Sequence, residues 1–115
     1  MRKNTRTVAE AFDSQDRARP CPAIWTDGDA VYSYGTCIAT RIQNGVPGYE
    51  AIVINRTSYS MTTACHQNGL AVWFAMESPS TETIEVDDMP YEASAADLEK
   101  ASAVSILGFA EAAYR

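Results

Sequence analysis

The chain has 115 residues, of which 46% are hydrophobic and 21% charged, with a formal net charge of −6. That is an ordinary globular composition at the length of one domain, which excludes a disordered or low-complexity polypeptide. It contains no apolar run of the roughly 18 residues that a membrane-spanning helix needs.

Residues 5–16 read as a first helix. Thr7 followed by Glu10 has the spacing of a capping box, Asn4 is an alternative cap, and Val8 and Phe12 are spaced i, i+4. The basic N-terminus has no apolar core behind it and does not read as a secretory signal. Pro20 and Pro22 then end the helical stretch. "AIWT", "DGD" and "AVYSYGTCIATRI" are a short strand, an Asp-Gly turn and a longer strand. Continuous alternation would put Tyr32, Tyr34, Thr36, Ile38, Thr40 and Ile42 on one face, with Gly35 marking a bulge or a close backbone approach. "QNGVPGYE" is a turn, and "AIVIN" is a strand apolar enough to be covered on both faces.

A helix is predicted from about Thr62 to Met76. At 100° per residue Cys65, Gly69, Val72, Trp73 and Met76 share one side, His66 and Leu70 lie at its edge, and Thr63, Gln67 and Asn68 fall outside it. "ESPSTETIEVDDMPYEAS" is an acidic loop that contains a short strand at "TIEV". Ser94 with Asp97 caps a last helix through Tyr114, with Leu98, Ile106, Phe109, Ala110 and Ala113 as its apolar face, flanked by Leu107 and Tyr114. That stripe closes a monomer core or seats a homodimer. The fold class is therefore α+β: an antiparallel meander of three or four strands packed with three helices. It forms one domain over 1–115, with 5–76 as helix, meander and helix, and 77–115 as acidic loop plus amphipathic helix.

Five of the nine basic residues lie in the first nineteen positions, whereas residues 77–99 hold eight acidic groups and no Lys or Arg. Such a segment repels nucleic-acid backbones. Its plain reading is a solvated loop. Its sharper reading is a docking patch for a basic host or phage protein, with Glu82, Glu85, Asp87, Asp88 and Glu92 as contact residues. Cys21, Cys37 and Cys65 are odd in number and lack CxxC spacing, so reduced thiols in a cytosol are expected. Neither they nor His66 have the spacing of a zinc site, and no cofactor or metal is expected.

The stretch "SYSMTTACHQN" concentrates hydroxyls, a thiol and the only histidine. Neighbours on a helix point about 100° apart, so Cys65 and His66 are no local dyad, and no catalytic residue is assigned. The plain reading of the hydroxyls is helix capping. The same free N–H groups also make an anion site, which Thr63 and Gln67 could reach. Tyr32 and Tyr34 could stack bases, with mainly Arg41 and Arg56 as the basic residues near them.

The segments YSYGTxIA (Tyr32 to Ala39) and NxTxYSxTTxxHQ (Asn55 to Gln67), together with an N-terminal helix carrying VAEAF, resemble a domain of small phage-encoded proteins of unknown function. The likeness spans roughly residues 5–72. Cys65 stands where that pattern often carries a basic residue. The resemblance implies a phage product acting in the host bacterial cytoplasm, and no known reaction. It completes the set of candidate ligand-binding residues: Tyr34, Thr36, Asn55, Tyr59, Ser60, Thr62, Thr63, His66 and Gln67. The first expectation is a non-enzymatic protein that binds a macromolecule through its acidic surface. The alternative is a nucleotide or nucleic-acid binding module, and a His66-dependent hydrolase comes last.

Overall fold

The computed structural model describes residues 2–42 and 51–103. In chain order the elements are α1 (Lys3–Asp13), β1 (Ala18–Cys21), β2 (Ile24–Thr26), β3 (Ala30–Ser33), β4 (Thr36–Arg41), β5 (Ala51–Asn55), α2 (Met61–Glu77) and β6 (Glu82–Val86). A third helix, α3, occupies 95–103. The six strands form one sheet in the order β1-β2-β3-β4-β5-β6. The first five are antiparallel neighbours, and β6 lies parallel to β5. A parallel pair cannot be joined by a hairpin, and here α2 is the crossover.

The fold is thus α+β as expected, but the sheet is larger and mixed. β1 was hidden by its prolines. It is an edge strand, where Pro20 costs no ladder hydrogen bond on the open side. "TIEV" does form a strand, as β6, but it adds parallel to β5. The long strand predicted from Ala30 to Ile42 is instead a hairpin. Tyr34 and Gly35 have φ of 50° and 84°, two successive left-handed residues that make a two-residue turn between β3 and β4. Tyr34 and Thr36 therefore do not continue a face begun by Tyr32. The bulge falls further on. Val31 and Tyr32 pair with Ala39 and Cys37, which leaves Ile38 as the extra residue and turns both Ile38 and Ala39 to the same core.

Each face of the sheet carries a core. On one side α1 and α2 cover Ile24, Val31, Ile38, Ile52 and Ile54 with Val8, Phe12, Leu70 and Phe74. Phe12 and Phe74 meet edge to face at 5.8 Å. On the other side Ala30, Cys37, Val53 and Val86 pack with Ala93, just before α3, and with Leu98 within it. β5 is buried along its whole length, which is what its unbroken apolar run called for. Trp25 and Tyr32, directly paired across β2 and β3, stack at 4.3 Å, with the Arg19 guanidinium 5.3 Å from the indole centre.

The helix ends explain two further departures. Thr7 and Asn4 lie inside α1 rather than capping it. The N-cap is Arg2, without a side-chain bond, and the Thr7 hydroxyl donates to the Lys3 carbonyl. At its other end α1 closes in a Schellman motif: Asp16 N–H donates to Ala11 and Gln15 N–H to Phe12, with Gln15 at φ 59° in the position that usually holds glycine. The cap of α3 is as expected. The Ser94 hydroxyl accepts from Asp97 N–H, and the Asp97 carboxylate accepts from Ser94 N–H. The predicted turn at 43–50 and the predicted face of Ile106, Leu107, Phe109, Ala110, Ala113 and Tyr114 lie outside the described residues. Among the described residues no helix is long and apolar enough to cross a membrane.

Two turn glycines make a measurable contrast. A Cβ on Gly28 (φ 98°) would sit 2.8 Å from the Gln15 carbonyl oxygen, whereas one on Gly35 (φ 84°) would meet nothing within 4 Å. Gly35→Ala should therefore lose about 1–2 kcal/mol of stability, from the left-handed conformation alone. Gly28→Ala should lose more, because backbone must also move. Urea unfolding of both variants tests this, and equal losses would show that the contact with Gln15 is immaterial.

Candidate functional site

The site grows from the end of β5. Asn55 is fully buried there. Its amide nitrogen donates to the Cys37 carbonyl (3.1 Å) and to the Tyr59 hydroxyl (3.0 Å), and its side-chain oxygen accepts from Thr57 N–H (3.0 Å). The main-chain carbonyl of Asn55 accepts from Gln67 Nε2 at 2.6 Å, and that nitrogen also reaches the Thr57 carbonyl at 3.0 Å. Two amide side chains thus satisfy backbone groups where a buried strand gives way to the segment leading into a helix.

The buried side of α2 is set by these bonds and differs from the predicted one. Thr63, His66, Gln67, Leu70, Trp73 and Phe74 face inward, whereas Cys65, Val72 and Met76 are exposed. Thr63 and Gln67 moved from outside to inside because they answer polar groups of β3 and β5. Ser60 caps the helix, its hydroxyl oxygen accepting from Thr63 N–H at 3.1 Å. The same hydroxyl donates to Thr63 Oγ1 (3.1 Å), Thr63 Oγ1 lies 3.0 Å from Ser33 Oγ, and Ser33 Oγ lies 2.8 Å from His66 Nδ1. The Ser60 hydrogen is committed to Thr63, whereas the Thr63–Ser33 and Ser33–His66 contacts run in the direction that the imidazole tautomer sets. Burial, reinforced by the nearby Arg2 charge, pushes His66 below the usual imidazole value.

In front of this chain lies a concavity of about 300 Å³. Ser33, Thr36, Ser60 and Thr63 line it together with Tyr34 of the β3–β4 turn, Tyr59, and Tyr91 and Glu92 of the acidic loop. The loop is held in place by Tyr59, whose hydroxyl donates to the Pro90 carbonyl at 2.8 Å, and by Thr57, whose hydroxyl oxygen accepts from Met89 N–H at 2.8 Å. The Tyr59 and Tyr91 rings meet at 5.6 Å and 84°. Tyr34 and Glu92, from segments far apart in sequence, are both non-glycine residues in left-handed conformations, at φ 50° and 54°. Such outliers concentrate at binding sites.

Of the candidate ligand residues, Tyr34, Thr36, Tyr59, Ser60 and Thr63 line this one concavity. Asn55, His66 and Gln67 form the buried layer behind it, and Thr62 does not line it. Sequence reasoning missed Ser33 and Tyr91. Ser33 was assigned to the face opposite Tyr34, and reading Tyr-Gly as a turn pair would have recovered it. His66 is only 3% exposed, and the charge that reaches it belongs to Arg2 rather than to a carboxylate that could orient it. Cys37 is on the other face of the sheet. Its thiol donates to the Ala39 carbonyl and is pushed up to about 12 by burial. The three cysteines are free thiols, and among the described residues no group of His, Cys, Asp or Glu could hold a metal ion. Of the acidic candidates, Glu85 lies 3.9 Å from Arg56, and Asp87 accepts from Asp88 N–H. Glu82, Asp87, Asp88 and Glu92 are exposed. Comparison with protein-family models, curated proteins and solved structures returned no match.

Asn55→Ala should cost about 2–4 kcal/mol, since it strands buried groups worth roughly 1–3 kcal/mol each. Chemical denaturation measures this, and a loss under about 1 kcal/mol would mean that water replaces the amide. The His66 shift gives a pH dependence of defined sign. The unfolded chain takes up a proton near the ordinary 6.5 and the folded ring resists it, so stability falls as pH drops below 6.5. His66→Gln should flatten the change in melting temperature between pH 7.5 and 5.5. An unchanged slope would assign it to other groups.

Proposed function

We propose that this is a small non-enzymatic phage protein that binds a host or phage macromolecule with a basic surface, in the bacterial cytoplasm. The observation that carries the reading is the convergence of Tyr34, Tyr59, Tyr91 and Glu92 on one concavity that is continuous with the acidic loop. Exposed aromatic rings with a strained backbone beside a like-charged segment suit recognition better than turnover. The hydroxyls in the concavity are already bonded to one another, and the imidazole lies behind them. The resemblance of the YSYGTxIA and NxTxYSxTTxxHQ segments to phage-encoded proteins supports the origin and the compartment. A nucleotide-binding reading draws on the same hydroxyls at the start of α2. It is weakened by the lack of Lys and Arg among the described residues that line the concavity.

The test is capture of partners from nuclease-treated bacterial lysate by the tagged protein and two variants. One variant combines Tyr34→Asn, which tolerates the turn conformation, with Tyr91→Ala. The other combines Glu85→Gln, Asp87→Asn and Asp88→Asn. A protein retained after nuclease, released by salt and reduced about tenfold in each variant, equivalent to about 1.4 kcal/mol, is the expected result. Equal capture by all three proteins, or loss of all capture on nuclease treatment, overturns the reading.

A further inference from the structure

We infer that the concavity at the start of α2 receives a cationic side chain, a lysine ammonium or an arginine guanidinium, from the partner protein. The inference rests on the docking reading above and names the chemistry of its central contact.

Three features of the walls and floor converge. The first is aromatic. Tyr59 and Tyr91 stand at 84° with ring centres 5.6 Å apart, so they form two walls of a corner, and Tyr34, 60% exposed, adds a third ring from the opposite strand turn. Aromatic faces attract cations electrostatically, and perpendicular rings present more than one face to the same guest. The second is charge. Among the described residues Glu92 is the only charged one lining the concavity. The start of α2 opposes it with a partial positive charge of roughly half a unit, but a carboxylate carries a full one, and the Ser60 hydroxyl already caps the helix. Residues 77–99, which supply Tyr91 and Glu92, contain no Lys or Arg.

The third feature is the pair of hydroxyls whose hydrogens are already used. Ser60 gives its hydrogen to Thr63 Oγ1, and Tyr59 gives its own to the Pro90 carbonyl. What these two oxygens have left to offer a guest is lone pairs. An ammonium or guanidinium brings several N–H donors and no acceptor, and so meets them with hydrogen bonds, whereas a phosphate or carboxylate would face them oxygen to oxygen.

The experiment is a ¹H–¹⁵N NMR titration of the full chain, read at the amides of Tyr34, Gly35, Thr63 and Glu92. The probes are N-acetyl-arginine methylamide, N-acetyl-lysine methylamide, the uncharged N-acetyl-norleucine methylamide, spermidine and inorganic phosphate. The expected result is saturable shifts at millimolar concentration with the arginine or lysine probe. Glu92→Gln and Tyr34→Asn, each with an otherwise unchanged spectrum, should weaken binding at least fivefold. Tighter binding of phosphate or of the norleucine probe overturns the cationic assignment, as does an unaltered response in Glu92→Gln. Saturation by spermidine alone overturns a protein side chain as the source. If no probe binds while partner capture still depends on Tyr34 and Tyr91, the inference fails and the docking reading stands. If the cationic probe binds while capture ignores those tyrosines, the pocket chemistry stands and the docking reading falls.

Discussion

The arrangement depends on how one buried asparagine solves the problem of ending a strand inside the protein. β5 is covered on both faces along its length, and at its C-terminal end the β6 ladder stops at Asn55 and Arg56, so the main-chain groups where the chain leaves the sheet need other partners. Asn55 and Gln67 supply the missing partners and in doing so fix three things together. They fix the path of the chain from β5 into α2, the rotation of α2 about its axis, and the position of Tyr59. The rotation brings Thr63 and His66 under Ser33, and the placement of Tyr59 brings the acidic loop against the turn between β3 and β4. The concavity is a by-product of the way this strand ends.

The same network separates what could be read in the sequence from what could not. Local grammar was reliable where the signal was short-range. The Asp-Gly turn, the doubly covered β5 and the Ser94–Asp97 cap all follow from a few adjacent residues. It failed where a distant partner decided the outcome. α2 has apolar residues on all sides, and its first two buried turns are polar. Hydrophobic periodicity therefore chose the side of Cys65, Val72 and Met76, whereas hydrogen bonds to β3 and β5 chose the side of Thr63 and Gln67. The Tyr34–Gly35 turn was missed because tyrosine is a poor left-handed residue. The preference it violates is a sign of its position in the site. The candidate residues carried a partial image of that site: five of the nine line it and three stand behind it, but the two-sided wall made by Tyr59 and Tyr91 needed the loop to be folded back.

The two edges of the sheet are treated differently. β1 carries Pro20, which removes a donor. β6 carries Glu82 and Glu85, exposed, with Glu85 near Arg56. Charged side chains and proline are the usual means by which an edge avoids pairing with another chain. Part of the acidity of residues 77–99 is accounted for in this way. Glu92 is different, since it lies off the strand, in a left-handed conformation, facing the tyrosines.

Among the described residues one strand pair is parallel, β5 with β6, and its partners meet differently from those of the hairpins. β1 to β5 meet as sequence neighbours, whereas β6 can find β5 only after α2 has been laid across the sheet. Contacts of this kind carry a larger loop-closure cost than hairpins and slow a fold. Because Tyr91 and Glu92 follow β6, one side of the concavity is built from chain beyond the crossover and the other, Tyr34 and Ser33, from the meander. A guest that bridges both sides therefore stabilises their contact, as any ligand of the native state alone does, and acts as a clasp between them.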